Sequence, residues 1–137
     1  MWAPREDVFQ MDRFGPSHSF DVSLAIADMP RYLDTLRGAL EDRLPGAKTF
    51  VFGHVADGNL HIAVCAGDAA ARIVENCVYE PLRSITGSIS AEHGIGLERK
   101  PYLEISRTRA EIATMRALKA ALDPRGILNP GKVIDVH

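Results

Sequence analysis

Between Ser19 and Ile26 the chain reads SFDVSLAI, with Phe20, Val22, Leu24 and Ile26 alternating against Ser19, Asp21 and Ser23. A period of two belongs to a strand with one face in a core, so this stretch is the first predicted strand. From Met29 the period changes: MPRYLDTLRGALEDRL places Met29, Tyr32, Leu33, Leu36, Leu40 and Leu44 at helical spacing. Asp28 is the expected N-cap, Pro30 fits the first turn, and Pro45 and Gly46 end the helix. Lys48 to Gly53 and Leu60 to Ala66 are short apolar runs joined through VADGN, and an Asp-Gly between two such runs predicts an antiparallel hairpin. After Asp68, AAARIVENCVYEPLRSI carries Ile73, Val74, Cys77, Val78 and Leu82 on one stripe, a second helix bent near Pro81. Gly87 to Ser90 is a last short strand, Arg107 to Leu122 a further helix, and DPRGILNPGKVIDVH a turn-rich tail expected to pack back on the domain.

The order β-α-β-β-α-β implies an α+β fold: a ferredoxin-like antiparallel sheet with helices on one face, plus an extra C-terminal helix and extended tail. A chain of 137 residues suits one domain, and 46% hydrophobic with 25% charged residues is the balance of a globular one. The formal charge of -2, with Lys and Arg scattered singly, leaves no footprint for nucleic acid, and no apolar run is long enough for membrane insertion. MWAPREDVF lacks a signal-peptide pattern, so a cytoplasmic location is expected. Cys65 and Cys77 form no CxxC and are expected to be small buried apolar residues.

Candidate chemistry lies in the hairpin and in the segment SAEHGIG. If the loop runs from Val55 to Leu60, His54 and His61 stand opposite each other, with Cβ atoms about 5 Å apart. One metal ion would fit between them, although two polar residues at a hairpin mouth would read the same way. Asp57, Gly58 and Asn59 are accounted for by turn chemistry. Glu92 supplies a carboxylate, and a carboxylate with two histidines is a common catalytic metal set that leaves positions open for water or substrate. His93 follows directly, between small residues and Gly94 and Gly96.

Three motifs in order, GHVADGNLH (Gly53 to His61), SISAEHGIGLERK (Ser88 to Lys100) and LDPRGILNPGK (Leu122 to Lys132), resemble the C-terminal domain of FAD-linked oxidases. These are flavoproteins of the vanillyl-alcohol oxidase and p-cresol methylhydroxylase type, including dehydrogenases and oxidases of D-2-hydroxyglutarate, D-lactate and glycolate. WAPREDV and FDVSL extend the similarity towards the N-terminus. The resemblance implies a ferredoxin-like substrate-binding domain over residues 1–137 of an FAD-dependent enzyme that oxidises a D-2-hydroxy acid to the 2-oxo acid. It also implies roles for single residues. His54, His61 and Glu92 resemble ligands of a divalent metal, usually zinc; His93 resembles the general base beside the flavin; Arg5 resembles the anchor of the substrate carboxylate. Asn129, and with it Glu92, resembles a residue on the cofactor side. A neutral imidazole suits removal of the hydroxyl proton, and the flavin takes the hydride that no side chain can.

The motifs depart from the family in places. Ala56 stands where Gly is usual. Phe9, Ser19 and Ala63 stand where some relatives carry a Thr, a Lys and an Asn, with His18 the nearest substitute for the Lys. These departures point to a hydroxy acid with a smaller or more apolar tail than a dicarboxylate. An FAD-binding domain is expected to precede this chain, with Met1 an internal or truncated start; that domain is the expected partner, beside a second copy in a homodimer. Alone, the chain is expected neither to hold FAD tightly nor to turn over. Two other readings stay open from residues alone: an assembly domain without catalysis, and a metal-dependent hydrolase.

Overall fold

The computed structural model describes residues 13–135. Among them the chain folds as predicted in class: a four-stranded antiparallel sheet of order β2-β3-β1-β4, built by β1 (Ser17–Leu24), β2 (Lys48–Phe52), β3 (Asn59–Cys65) and β4 (Gly87–Ser88). Two crossover helices, α1 (Met29–Arg43) and α2 (Ala71–Tyr79), cover one face. Their apolar stripes, Tyr32, Leu36 and Leu40 from one and Val74, Cys77 and Val78 from the other, meet Phe20, Val22, Leu24, Leu60, Ile62 and Val64 of the sheet. The strands' other alternate positions, Ser19, Asp21, Asn59, His61, Ala63 and Phe52, therefore lie on the opposite face. Tyr32 is fully buried, and its hydroxyl donates to Val78 O at 2.9 Å, locking the two helices together.

Several boundaries differ from the sequence expectation, each for a local reason. β1 begins at Ser17 and ends at Leu24, because Ser17 still has Cys65 as partner while Ile26 has already entered a 3-10 turn, Ile26–Asp28. That turn puts Asp28 in helical backbone, so it makes no side-chain cap and pairs with Arg31 at 2.9 Å instead. Ile73 points to solvent, and the stripe of α2 narrows to Val74, Cys77 and Val78. The bend at Pro81 is present as a 3-10 segment, Glu80–Ser84. β4 stops at Ser88, after which Ile89 drops into the core. Cys65 and Cys77 are both buried, as expected.

The C-terminal part adds α3 (Leu103–Ser106), which the periodicity did not predict, and α4 (Arg109–Leu122). The last helix starts at Arg109 rather than Arg107 because Thr108 caps it, with Glu111 returning the bond to Thr108 N–H. The tail does pack back. Ile134 joins Leu103 and Ile112 in a second small core, Val133 N donates to Gly96 O at 2.9 Å, and Lys100 Nζ holds Gly131 O at 2.7 Å and Asp135 at 2.6 Å. These ties hold Val133 at a φ of 67°, which a β-branched residue rarely adopts.

Candidate metal centre

The site lies on the sheet face turned away from the helices. Asp21 sits in the middle of β1, opposite His61 of β3, and is completely buried. Its alternation with Phe20 and Val22 assigns it the right face, but that face is not open there. After Ile89 the chain folds across it, tied by Ala91 N to Asp21 O at 3.1 Å. Asp21 Oδ2 then accepts from the backbone N–H of Glu92 at 2.8 Å and of His93 at 2.9 Å, with Ser90 Oγ at 3.3 Å. Burial pushes the Asp21 carboxyl up, but those two N–H groups and the imidazoles of His93 and His61 outweigh it and hold it below the usual carboxylate range.

The hairpin does not place His54 opposite His61; its register pairs Phe52 with His61. The reversal is not a two-residue turn. A 3-10 turn, Val55–Asp57, takes up residues between the strands, with Gly58 left-handed at its end, so His54 lies beyond the end of β2. His54 O accepts from both Asp57 N and Asn59 N, which folds the loop back and brings the two rings to 5.9 Å between centroids. His54 Nε2 lies 3.8 Å and His61 Nε2 3.9 Å from Glu92 Oε1. One ligand atom from each of the three falls within 4.8 Å of the others. Ligand atoms on one tetrahedral zinc stand roughly 3.4 Å apart, so this donor set fits a divalent ion after small side-chain movements. Asn59, read in the sequence as a turn residue, is buried and donates its amide to Glu92 Oε1, fixing that carboxylate from the side.

Beside the three donors opens a cleft of about 260 Å³, lined by Ser19, Phe20, Phe52, His61, Ile62, Ala63 and His93. His93 lies at its edge, its ring stacked on His61 at 6.2 Å and its Nδ1 3.8 Å from Asp21 Oδ2. Most of the exposed lining surface is apolar, and among the described residues no Lys or Arg contributes to it. His18 cannot stand in for a cleft lysine: its position in β1 puts it on the other face, where Nε2 lies 2.9 Å from Gly67 O. Arg5 and Phe9 lie outside the described residues. Asn129 is in an exposed turn at a φ of 47°, set by the tail and not by the histidine cluster. That turn is held against α4 by Asp123, which accepts from Ile127 N and Leu128 N, and by Lys119 Nζ to Leu128 O.

The α+β domain thus gathers two imidazoles and a carboxylate at one point, with a third imidazole beside a small cleft. Residues 1–133 match the family described as FAD linked oxidases, C-terminal domain, and the chain belongs to it. The chain is 40% identical to a D-2-hydroxyglutarate dehydrogenase of Xanthomonas citri pv. viticola over its whole length, covering 31% of that protein. It is 36% identical to one of Stutzerimonas stutzeri (97% of this chain, 30% of that one) and 38% identical to a mitochondrial one of Bos taurus (100% and 26%). The chain thus spans less than a third of the length of these relatives. Among the described residues no helix is long and apolar enough to cross a membrane.

Proposed function

We propose that this chain is the substrate-binding and proton-accepting domain of an FAD-dependent dehydrogenase of a D-2-hydroxy acid. The convergence of His54, His61 and Glu92 beside His93 at one cleft carries the reading. In it, His54, His61 and Glu92 hold a divalent ion, zinc by ligand type. When bound, the flavin would supply the hydride acceptor and the ion a positive charge that favours loss of the hydroxyl proton. His93 accepts the hydroxyl proton on Nε2, since its Nδ1 is turned to Asp21. Arg5 anchors the carboxylate.

The FAD-binding domain is a partner outside this sequence. A surface for it is offered by Leu118, Leu122, Ile127 and Leu128, exposed apolar side chains gathered at the end of α4 and the turn that carries Asn129. A cleft of about 260 Å³ suits a small organic acid, and its apolar lining with Ala63 and Ser19 favours a short or apolar tail over a second carboxylate. The relatives' names specify hydroxyglutarate, so the tail is the open variable. An assembly domain without chemistry leaves the buried Asp21 and the three converging donors without a reason.

The test uses the FAD-containing holoenzyme that carries this chain, mixed anaerobically with D- and L-2-hydroxy acids of varied tails while flavin bleaching is followed. Bleaching by D acids is expected, fastest with monocarboxylates, and His93→Ala should slow it by roughly 10²–10⁴-fold. A flavin that no 2-hydroxy acid reduces refutes the reading.

A further inference from the structure

The roles above use Asp21 only as the group that His93 Nδ1 faces, although it is the most deeply buried charged group of the site. Its two oxygens are not equivalent. Oδ2 is saturated by Glu92 N, His93 N and Ser90 Oγ, whereas Oδ1, equally buried, accepts no hydrogen bond among the described residues. Burying a carboxylate oxygen without a donor is unfavourable, so such an oxygen points to a partner not yet fully engaged. The donor facing it is His61 Nδ1, at 3.9 Å. The other nitrogen of the same ring, Nε2, faces Glu92 at 3.9 Å. The imidazole therefore lies between the carboxylate and the ligand cluster, the arrangement in which an outer carboxylate fixes the tautomer of a metal-bound histidine and raises its basicity.

We infer that Asp21 is the positioning residue of this centre: through Oδ1 it holds His61 with Nε2 presented to the ion, and through Oδ2 it holds the backbone that carries Glu92 and His93. One side chain on an interior strand of the sheet thereby sets two of the three donors and the proton acceptor relative to each other. The inference rests on the metal reading given under the proposed function. A carboxylate that only stapled the 90–93 loop to β1 would use Oδ2 and need no imidazole opposite Oδ1.

The test measures zinc affinity of the full chain by competition with a chromophoric chelator. Asp21→Asn keeps an oxygen for the two N–H groups but removes the charge facing His61. It is expected to lower zinc affinity roughly 10–100-fold while the far-UV spectrum is unchanged. Ser90→Ala, which removes the weakest contact to Oδ2, should stay within about twofold of the unaltered chain. In the zinc-loaded unaltered chain, imidazole ¹⁵N shifts should show His61 protonated at Nδ1 and metal-bound at Nε2. That measurement decides the question by itself if Asp21→Asn does not fold. Equal zinc affinity of folded Asp21→Asn and the unaltered chain, or coordination of His61 through Nδ1, overturns the inference and leaves the metal reading standing. An unaltered chain that takes up no zinc overturns the metal reading and the inference with it.

Discussion

Gly58 and Gly38 should respond to the same substitution with opposite signs, and the structure says by how much. Gly58 ends the 3-10 turn of the hairpin at φ 75°, ψ 10°, and its carbonyl accepts Leu24 N at 2.9 Å, tying the His54 loop to the end of β1. A Cβ at this position would stand 2.5 Å from Leu24 O, whereas real Cβ contacts stay beyond 3.0 Å, so the turn must withdraw by about 0.5 Å. Alanine in left-handed backbone costs about 1–2 kcal/mol, and weakening one backbone hydrogen bond adds about 1 kcal/mol. The lower entropy of an unfolded alanine chain returns about 0.5 kcal/mol. Gly58→Ala should therefore destabilise the chain by about 2 kcal/mol, or roughly 6–10 °C in Tm for a domain of this size. Gly38 lies inside α1, where an added methyl group would meet nothing within 4 Å, so Gly38→Ala should stabilise by about 0.5–1 kcal/mol through helix propensity. Urea unfolding with an unchanged m-value measures both. Because His54 rides on the Gly58 turn, the first variant should also bind zinc more weakly and the second should not. A Gly58→Ala chain as stable as the unaltered one would refute the left-handed, docked turn, and with it the way the loop delivers His54.

Two further outcomes concern stability away from the site. Tyr32→Phe removes the buried bond to Val78 O without opening a cavity, and should cost about 1–1.5 kcal/mol in the same urea assay; no loss would mean that the hydroxyl does not link α1 to α2. Acid should loosen the C-terminal part: Lys119 beside Asp123, with the N–H groups of Leu128 and Ile127, holds the Asp123 carboxyl below its ordinary value despite burial, and Thr108 does the same for Glu111. Both groups have folded values below their unfolded ones, so their contribution is complete above about pH 5 and is lost as pH falls through roughly 4 and lower. Asp123→Asn should flatten the fall in urea midpoint between about pH 5 and 2.5, and an unchanged slope would contradict the assignment.

The scaffold was legible because each change of period, from two at Phe20–Leu24 to helical at Tyr32–Leu40 and back at Leu60–Val64, is enforced by a single apolar face packed on the same core. Boundaries were less so, since they depend on partners: Ser17 is strand because Cys65 is there to pair with it. The Thr108-x-x-Glu111 cap is a signal the sequence does carry, and it alone moves the start of α4 to Arg109. In the site, the sequence singled out three side chains that the structure does bring together, while the geometry of their approach was misjudged. Counting symmetrically around Asp57-Gly58 puts His54 opposite His61, but the 3-10 turn shifts Phe52 into that place. The rings still meet, because the loop folds back on His54 O.

Asp21 and Asn59 were missed for a deeper reason. Alternation tells which face of a strand a residue occupies, not whether a segment seventy residues later will cover that face, and only the cover makes Asp21 a buried acceptor of Glu92 N and His93 N. Yet a trace was present in one dimension. An aspartate between Phe20 and Val22 is a poor strand residue, since short acidic side chains favour turns over ladders. In antiparallel register such a residue faces a definite partner, and here that partner is the second histidine of the hairpin motif. A strand aspartate paired in register with a candidate ligand is thus better read as the outer carboxylate of that ligand than as a solvated position, because two polar side chains at a directly opposed pair are left facing each other once the face is covered.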